Sequence, residues 1–232
     1  MEHERNLTAQ NAVILACTSM LLHVAAAQEK AGTHLEVVEL DRALHEDPKK
    51  MRRRVLEALD TLPGQIETVL VAMGRCGGSW DDVSVSRRVV IPKVDDCITL
   101  LLHTDDTPHE NLKEDGHMYF RDCDTGGYTI QGIKDRLCRE YGMEVGTSIF
   151  GGWFTPYTDA DIIDTGVYDC YSEAYVEQAQ INADLIRCRL NYVQGSNIIL
   201  EKLISGKWDA QFVVAEPGTK IQMKDFQPEA IG

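Results

Sequence analysis

Asn11-Ala12-Val13-Ile14-Leu15-Ala16-Cys17-Thr18-Ser19 is an apolar run ending in a cysteine and two hydroxyl residues. Thr68-Val69-Leu70-Val71-Ala72-Met73 is a second such run, and it leads into Gly74-Arg75-Cys76-Gly77-Gly78. Both runs are continuous rather than alternating, which predicts strands covered on both faces, as in a parallel sheet. Working outward, Thr18 or Ser19 can cap a helix from Met20 to Lys30, and Leu35 to Leu40 reads as a short strand. Asp47-Pro48 opens a basic helix through Met51-Arg52-Arg53-Arg54, because proline fits the first turn and an acid before it caps. Arg88 to Ile91 is a further strand stopped by Pro92, and Asp95 or Asp96 can cap the helix that starts at Cys97. Strands that alternate with helices predict an α/β fold with a mostly parallel sheet flanked by helices, a Rossmann-like three-layer architecture, with two small lobes as the alternative.

Residues 104–130 are the least regular part, with Asp105-Asp106, Pro108, Gly116 and Gly126-Gly127. They read as an extended loop or lid within a single α/β domain spanning 1–232, with a short strand at Met118-Tyr119-Phe120. Beyond it, Gln131 to Tyr141 reads as a helix, and Gly146 to Phe150 and Gly166 to Tyr168 as strands. The aromatic stretch Trp153-Phe154-Thr155-Pro156-Tyr157 reads as a loop. Ser172 to Tyr192 has apolar residues near helical spacing and predicts one long helix. Ile198 to Ile204 is a last helix, and Phe212 to Ala215 a last strand.

The chain has 232 residues, of which 44% are hydrophobic, enough for a sizeable core. Its formal net charge is −14, from 37 acids against 23 bases. That balance argues against nucleic acid or anionic lipid as a partner held by bulk electrostatics, and it suits a basic protein or a cationic ligand. No apolar run approaches the roughly 20 residues that span a bilayer. Met1-Glu2-His3-Glu4-Arg5 lacks the apolar core of a secretory signal. Seven cysteines without a short-chain disulfide framework predict reduced thiols in a cytoplasm.

Three of those cysteines follow strands: Cys17, Cys76 and Cys97. Ligands of α/β proteins collect outside the carboxyl ends of strands, so these thiols are the candidate metal ligands. Soft thiolates select zinc or an iron–sulfur cluster over magnesium or calcium. Three protein ligands leave one position open for chemistry. The expected cofactor is an iron–sulfur cluster, with zinc as the alternative. Arg75 would tune Cys76 electrostatically, since a nearby cation lowers a thiol pKa. Asp95 and Asp96 are candidates for orienting or proton-transfer roles beside the centre, with helix capping as the plain alternative. Gly74, Gly77 and Gly78 would let the backbone approach a cofactor. No CxxC pair, Walker ending or GxGxxG follows any strand, so zinc ribbon, mononucleotide and dinucleotide sites have no motif support. Among the remaining thiols, Cys138, Cys170 and Cys188 read as packing residues, and Cys123, on a polar loop, as a fourth ligand or a mobile thiol. His103 reads as a core or solvent residue, and His109 and His117 as members of a solvated loop.

Leu15-Ala16-Cys17, Met73-Gly74-Arg75-Cys76-Gly77, Val94-Asp95-Asp96-Cys97 and Leu203-Ile204-Ser205-Gly206-Lys207-Trp208-Asp209 occur in that order. In that order they resemble a bacterial and archaeal domain-of-unknown-function family, often encoded beside corrinoid-dependent methyltransferases. The resemblance covers roughly residues 12 to 222. It implies a cytoplasmic protein of an anaerobe, linked to corrinoid-dependent methyl transfer. It also implies that the family's three recurrent cysteines fall on Cys17, Cys76 and Cys97. Relatives often carry a longer histidine–cysteine–tyrosine segment at the third position, where this chain has Asp95-Asp96-Cys97. Two other classes fit the same residues: an accessory protein that binds a corrinoid protein or its methyltransferase, and a zinc-thiolate methyltransferase.

Overall fold

A computed structural model describes residues 7–122 and 128–227. The chain divides into two compact units, Met1–Leu112 with Ser196–Gly232, and Lys113–Gly195. The irregular stretch 104–130 contains the crossing from the first unit to the second. Cys123 lies outside the described residues.

The first unit is built on a five-stranded sheet in the order β2-β1-β3-β4-β8. β1 (Ala12–Cys17) and β3 (Thr68–Ala72) are buried along their whole length. That is why their sequences are continuous rather than alternating: both faces meet apolar cover. β2 (Glu36–Leu40) and β3 flank β1, both parallel to it, and β4 (Arg88–Pro92) pairs parallel with β3. β8 (Phe212–Ala215) closes the far side antiparallel to β4. The helices are α1 (Leu21–Ala31), α2 (Pro48–Thr61), α3 (Cys97–Leu102) and α7 (Ile198–Ile204). α1 ends at Gly32, whose φ of 65° lets its N–H reach the Gln28 and Glu29 carbonyls. Asp47 caps α2 by accepting from the Lys49 and Lys50 amides, with Pro48 at the first helical position; such a cap contributes about 1 kcal/mol. The arginines of α2 behave as a solvated face, save that Arg52 donates to the Asp81 carbonyl.

The second unit carries a three-stranded parallel sheet, β5-β6-β7. Its strands are β5 (His117–Phe120), β6 (Asp159–Asp164) and β7 (Arg189–Gln194), with α4 (Ile130–Tyr141), α5 (Met143–Phe154) and α6 (Glu173–Leu185) between them. Met118, Phe120, Ala160, Ile162 and Leu190 share one face, packed with Leu137, Phe150, Phe154 and Ala183. Three sequence expectations change here. The stretch 146–150, expected as a strand, is inside α5, because Gly146 lets that helix lie against α4. A Cβ at Gly146 would stand 2.6 Å from Cys138 Cα and Leu137 C. The aromatic stretch is the end of the same helix: Phe154 is buried, and Trp153 faces solvent. The long helix expected through Tyr192 stops at Leu185. Arg187 takes a left-handed φ of 60°, and the chain re-emerges as β7. The short strand expected at 166–168 is a bend.

Both units are therefore α/β, with mostly parallel sheets flanked by helices, as expected for a Rossmann-like fold.

Candidate functional site

In the first unit the chain steps from β1 to β2 on one side, then crosses β1 to place β3 on the other. The carboxyl ends of β1 and β3 therefore diverge, the position where doubly wound folds hold ligands. Cys17 is the last residue of β1 and Cys76 lies four residues past β3. Cys97 starts α3 after β4. The topology thus delivers all three expected thiols to neighbouring strand ends of one sheet. All three are free and buried, and Cys17 has no exposed surface.

Cys17 has a partner that the sequence did not point to. Its Sγ lies 3.3 Å from His45 Nε2 and 3.0 Å from Ser19 Oγ. His45 belongs to the 3-10 turn Arg42–Glu46, which follows β2 and is capped by Asp41 accepting from the Ala43 amide. Burial pushes the Cys17 thiol up, but the hydrogen bonds with His45 and Ser19 and the charge of His45 outweigh it, leaving the pKa below an ordinary thiol's. Cys76 is the opposite. Burial first, then the like charges of Cys97, Cys17 and Asp96, push its thiol well above the ordinary range. Cys76 therefore feels both other thiols electrostatically, and its surroundings favour the neutral form.

The loop around Cys76 is tightly wound. Cys76, Gly77 and Gly78 have φ of 47°, 68° and 83°, and the left-handed region is costly for a residue with a Cβ. The Arg75 amide donates to Val94 O and the Cys76 amide to Asp95 O, tying the β3 exit to the β4 exit. Gly74 permits this approach, since a Cβ there would stand 2.7 Å from the Asp96 amide nitrogen. Gly77 faces Pro48, and Gly78 faces the Asp81 carboxylate. The space that the three glycines leave is thus taken by the chain itself.

Asp96 caps α3 by accepting from the Ile98 and Thr99 amides at 3.0 Å. Asp95 Oδ1 accepts from Thr99 Oγ1 at 2.7 Å. Both acids are thereby oriented at the thiol-bearing edge, and both have a structural task. Arg75 points its Nη1 to within 3.9 Å of Glu110. His103 is a core residue, with Nδ1 2.8 Å from Thr99 O. Among the described residues, no three His, Cys, Asp or Glu side chains stand around one point as metal ligands do.

A second polar cluster occupies the β5–β7 sheet of the other unit. His117, Asp159 and Arg189 form one row across the strands, and Tyr119, Asp161 and Asn191 the next. His117 Nδ1 and Asp161 Oδ2 are 2.6 Å apart, and Asn191 Nδ2 donates to both Asp159 and Asp161. The hydrogen bond with Asp161 raises the His117 pKa. Hydrogen bonds from Thr158, Arg189 and Asn191 hold the Asp159 carboxyl down at about 2. His117, expected in a solvated loop, is therefore a strand residue in an ionised network. Cys170 and Cys188 belong to the apolar core of this unit, as expected of packing residues.

Fold and site together define a doubly wound α/β protein whose switch-point edge is lined with thiols. Residues 39–204 match the family described as a protein of unknown function (DUF1638), and the chain belongs to that family. Cys76 and Cys97 lie inside the matched stretch, and Cys17 lies before it. Comparison with curated proteins and with solved structures found no match.

Proposed function

We propose that the protein is a thiolate-centre protein in which Cys17, Cys76 and Cys97 hold a soft metal, either an iron–sulfur cluster or zinc, in a reducing cytoplasm. The observation that carries this reading is the delivery of three buried thiols to neighbouring strand ends, where Cys76 feels the charges of the other two. Buried thiolates that repel one another are stabilised by a cation, and a coordinating thiol is deprotonated outright. His45 adds a fourth donor: its 3.3 Å separation from Cys17 is close to the about 3.5 Å between two ligands on a tetrahedral zinc. The donor chemistry fits a soft metal. The side chains as placed do not surround one point, so ligation requires them to draw together, as sites that form with their metal do. Arg75, Asp95 and Asp96 flank this edge, and the two acids orient its backbone. The resemblance to a family often encoded beside corrinoid-dependent methyltransferases is what supports a setting in methyl transfer, with a corrinoid protein or its methyltransferase as partner.

Metal and acid-labile sulfide content of protein purified without oxygen tests this reading. Iron with sulfide, or zinc, near one site per chain and lost in Cys76→Ser, is the expected result. Metal-free protein after reconstitution with both would overturn it. A second reading rests on the hydrogen bond between Cys17 and His45: the thiolate attacks the methyl carbon of a methyl donor, an S–C bond forms as the carbon's bond to the donor's leaving group breaks, and that group departs with the bonding pair; complete burial of Cys17 restricts the transferred group to methyl size. Thiolate absorbance against pH in metal-free protein separates the two. A step below the ordinary thiol pKa of about 8.5, shifted upward in His45→Gln, supports the pair as an active thiolate; an identical titration in the variant removes it.

A further inference from the structure

The loop that carries Cys76 also holds polar atoms that the chain does not satisfy. Arg75 Nε and Nη1 are buried and make no hydrogen bond, and the side chain is 20% exposed. Trp80 Nε1 and Asp81 Oδ1, from the same loop, are buried in the same condition, so these atoms do not bond one another. Nearly all buried polar groups in native proteins are paired, and exceptions point to a ligand, an ion or stored strain. A guanidinium is the extreme case, because it cannot shed its charge and its donors form a rigid fork matched to carboxylate and phosphate. Among the described residues, Glu110 is the acid paired with it, and its carboxylate stops at 3.9 Å from Nη1, beyond hydrogen-bonding distance. Glu110 neutralises part of the charge and leaves the Nε and Nη1 hydrogens unused. The backbone on either side of Arg75 is fixed by the bonds of the Arg75 and Cys76 amides to Val94 O and Asp95 O. The fork is therefore held by the same two strand exits that present Cys76 and Cys97.

We infer that Arg75 is an oxyanion-binding residue at the switch-point edge, taking the carboxylate or phosphate group of an anionic substrate at its unpaired Nε donor. This assigns Arg75 a direct contact with substrate, beyond tuning a neighbouring thiol. It also gives the thiolate centre a substrate class: a small acid whose anionic end is anchored beside the cysteines. Glu110 acts as the resident competitor for the same guanidinium, so the site prefers ligands that bond to Arg75 better than a carboxylate at 3.9 Å does.

The inference builds on the thiolate-centre reading only for where the substrate goes. It is tested on metal-free full-length protein, so either can fail without the other. The readout is the Nε–Hε NMR resonance of Arg75, assigned by its loss in Arg75→Lys. Inorganic phosphate and acetate are the two probes, with sodium chloride at matched ionic strength as the control. The expected result is a saturable shift of that resonance with at least one probe and none with chloride; the probe that binds tighter distinguishes phosphate from carboxylate recognition. Glu110→Gln, which leaves the arginine in place, is expected to tighten binding by roughly three- to tenfold by removing the competing charge. An unshifted resonance with both probes in wild type and in Glu110→Gln would overturn the inference. An equal shift with chloride would do the same, since it would reduce the effect to ionic strength.

Discussion

The sheet of the first unit is apolar on both faces where β1 and β3 run, and its polar chemistry is confined to the strand ends. The sheet of the second unit divides its faces: Met118, Phe120, Ala160 and Ile162 enter a core, while His117, Asp159, Asp161, Arg189 and Asn191 make a hydrogen-bonded network on the other side. Full burial of each central Val, Leu or Ile in the first sheet is worth about 1.5–3 kcal/mol. The ionised network of the second contributes far less per residue, because its Coulomb gains are offset by desolvation and screened by water. The difference teaches where each unit is vulnerable. The first depends on packing and the second on pH.

The largest expected effect follows from that contrast. Leu70, wholly buried in β3, has cover on both sides, and Leu70→Ala should cost about 2–5 kcal/mol. Denaturant unfolding measures it. A loss under 1 kcal/mol would show that the first sheet is not packed as described. Next comes Gly146→Ala, in the second unit. The added methyl meets backbone atoms of α4 rather than a movable side chain, so about 1–3 kcal/mol is expected. Hydrogen exchange should place the lost protection in α4 and α5; unchanged rates there would break the reading of Gly146 as a contact glycine.

The smallest effect is the pH response. Asp161 raises the folded pKa of His117, so the pair's contribution is complete below the unfolded histidine pKa of about 6.5 and fades as pH rises through the raised folded value. His117 keeps 24% of its side chain exposed, which screens the pair and keeps the change small. The imidazole titration, followed by NMR, should fall toward the ordinary value in Asp161→Asn, and the slope of stability against pH above neutrality should flatten with it. A titration identical in the variant would remove the pair from the account.

Some of this was written locally, and some was not. Ala12–Cys17 and Thr68–Ala72 announce themselves because a run with no polar alternation has one comfortable home, the middle of a covered sheet. Asp47-Pro48 and Asp96 declare helix starts because capping is decided within three residues. The three strand-end cysteines follow from the same reasoning. The partners that give the sites their chemistry are non-local. His45 is 28 residues from Cys17, and Asp161 is 44 from His117; no spacing rule links either pair before the strands are paired. A histidine in a turn just after the strand that neighbours β1 was the one available hint for His45. α5 departs from the strand expected at 146–150 because Val145, Thr147, Ile149 and Phe150 favour a strand by propensity, whereas packing on α4 through Gly146 decides for helix. β7 was absorbed into a helix because Leu190 continues the spacing of α6, and the left-handed break at Arg187 leaves little mark in the sequence.

The edge strand β8 carries a consequence for how the protein is made. Synthesis delivers all three strands of the second sheet by Gln194, while the first sheet lacks β8 until Ala215, and α1 lacks its neighbour α7 until Ile204. For the time it takes to add those residues, β4 presents an unpaired rim and its backbone groups are open to other chains. The ribosome thus starts the first unit before the second and finishes it after, and in the interval between the exposed β4 rim is open to aggregation.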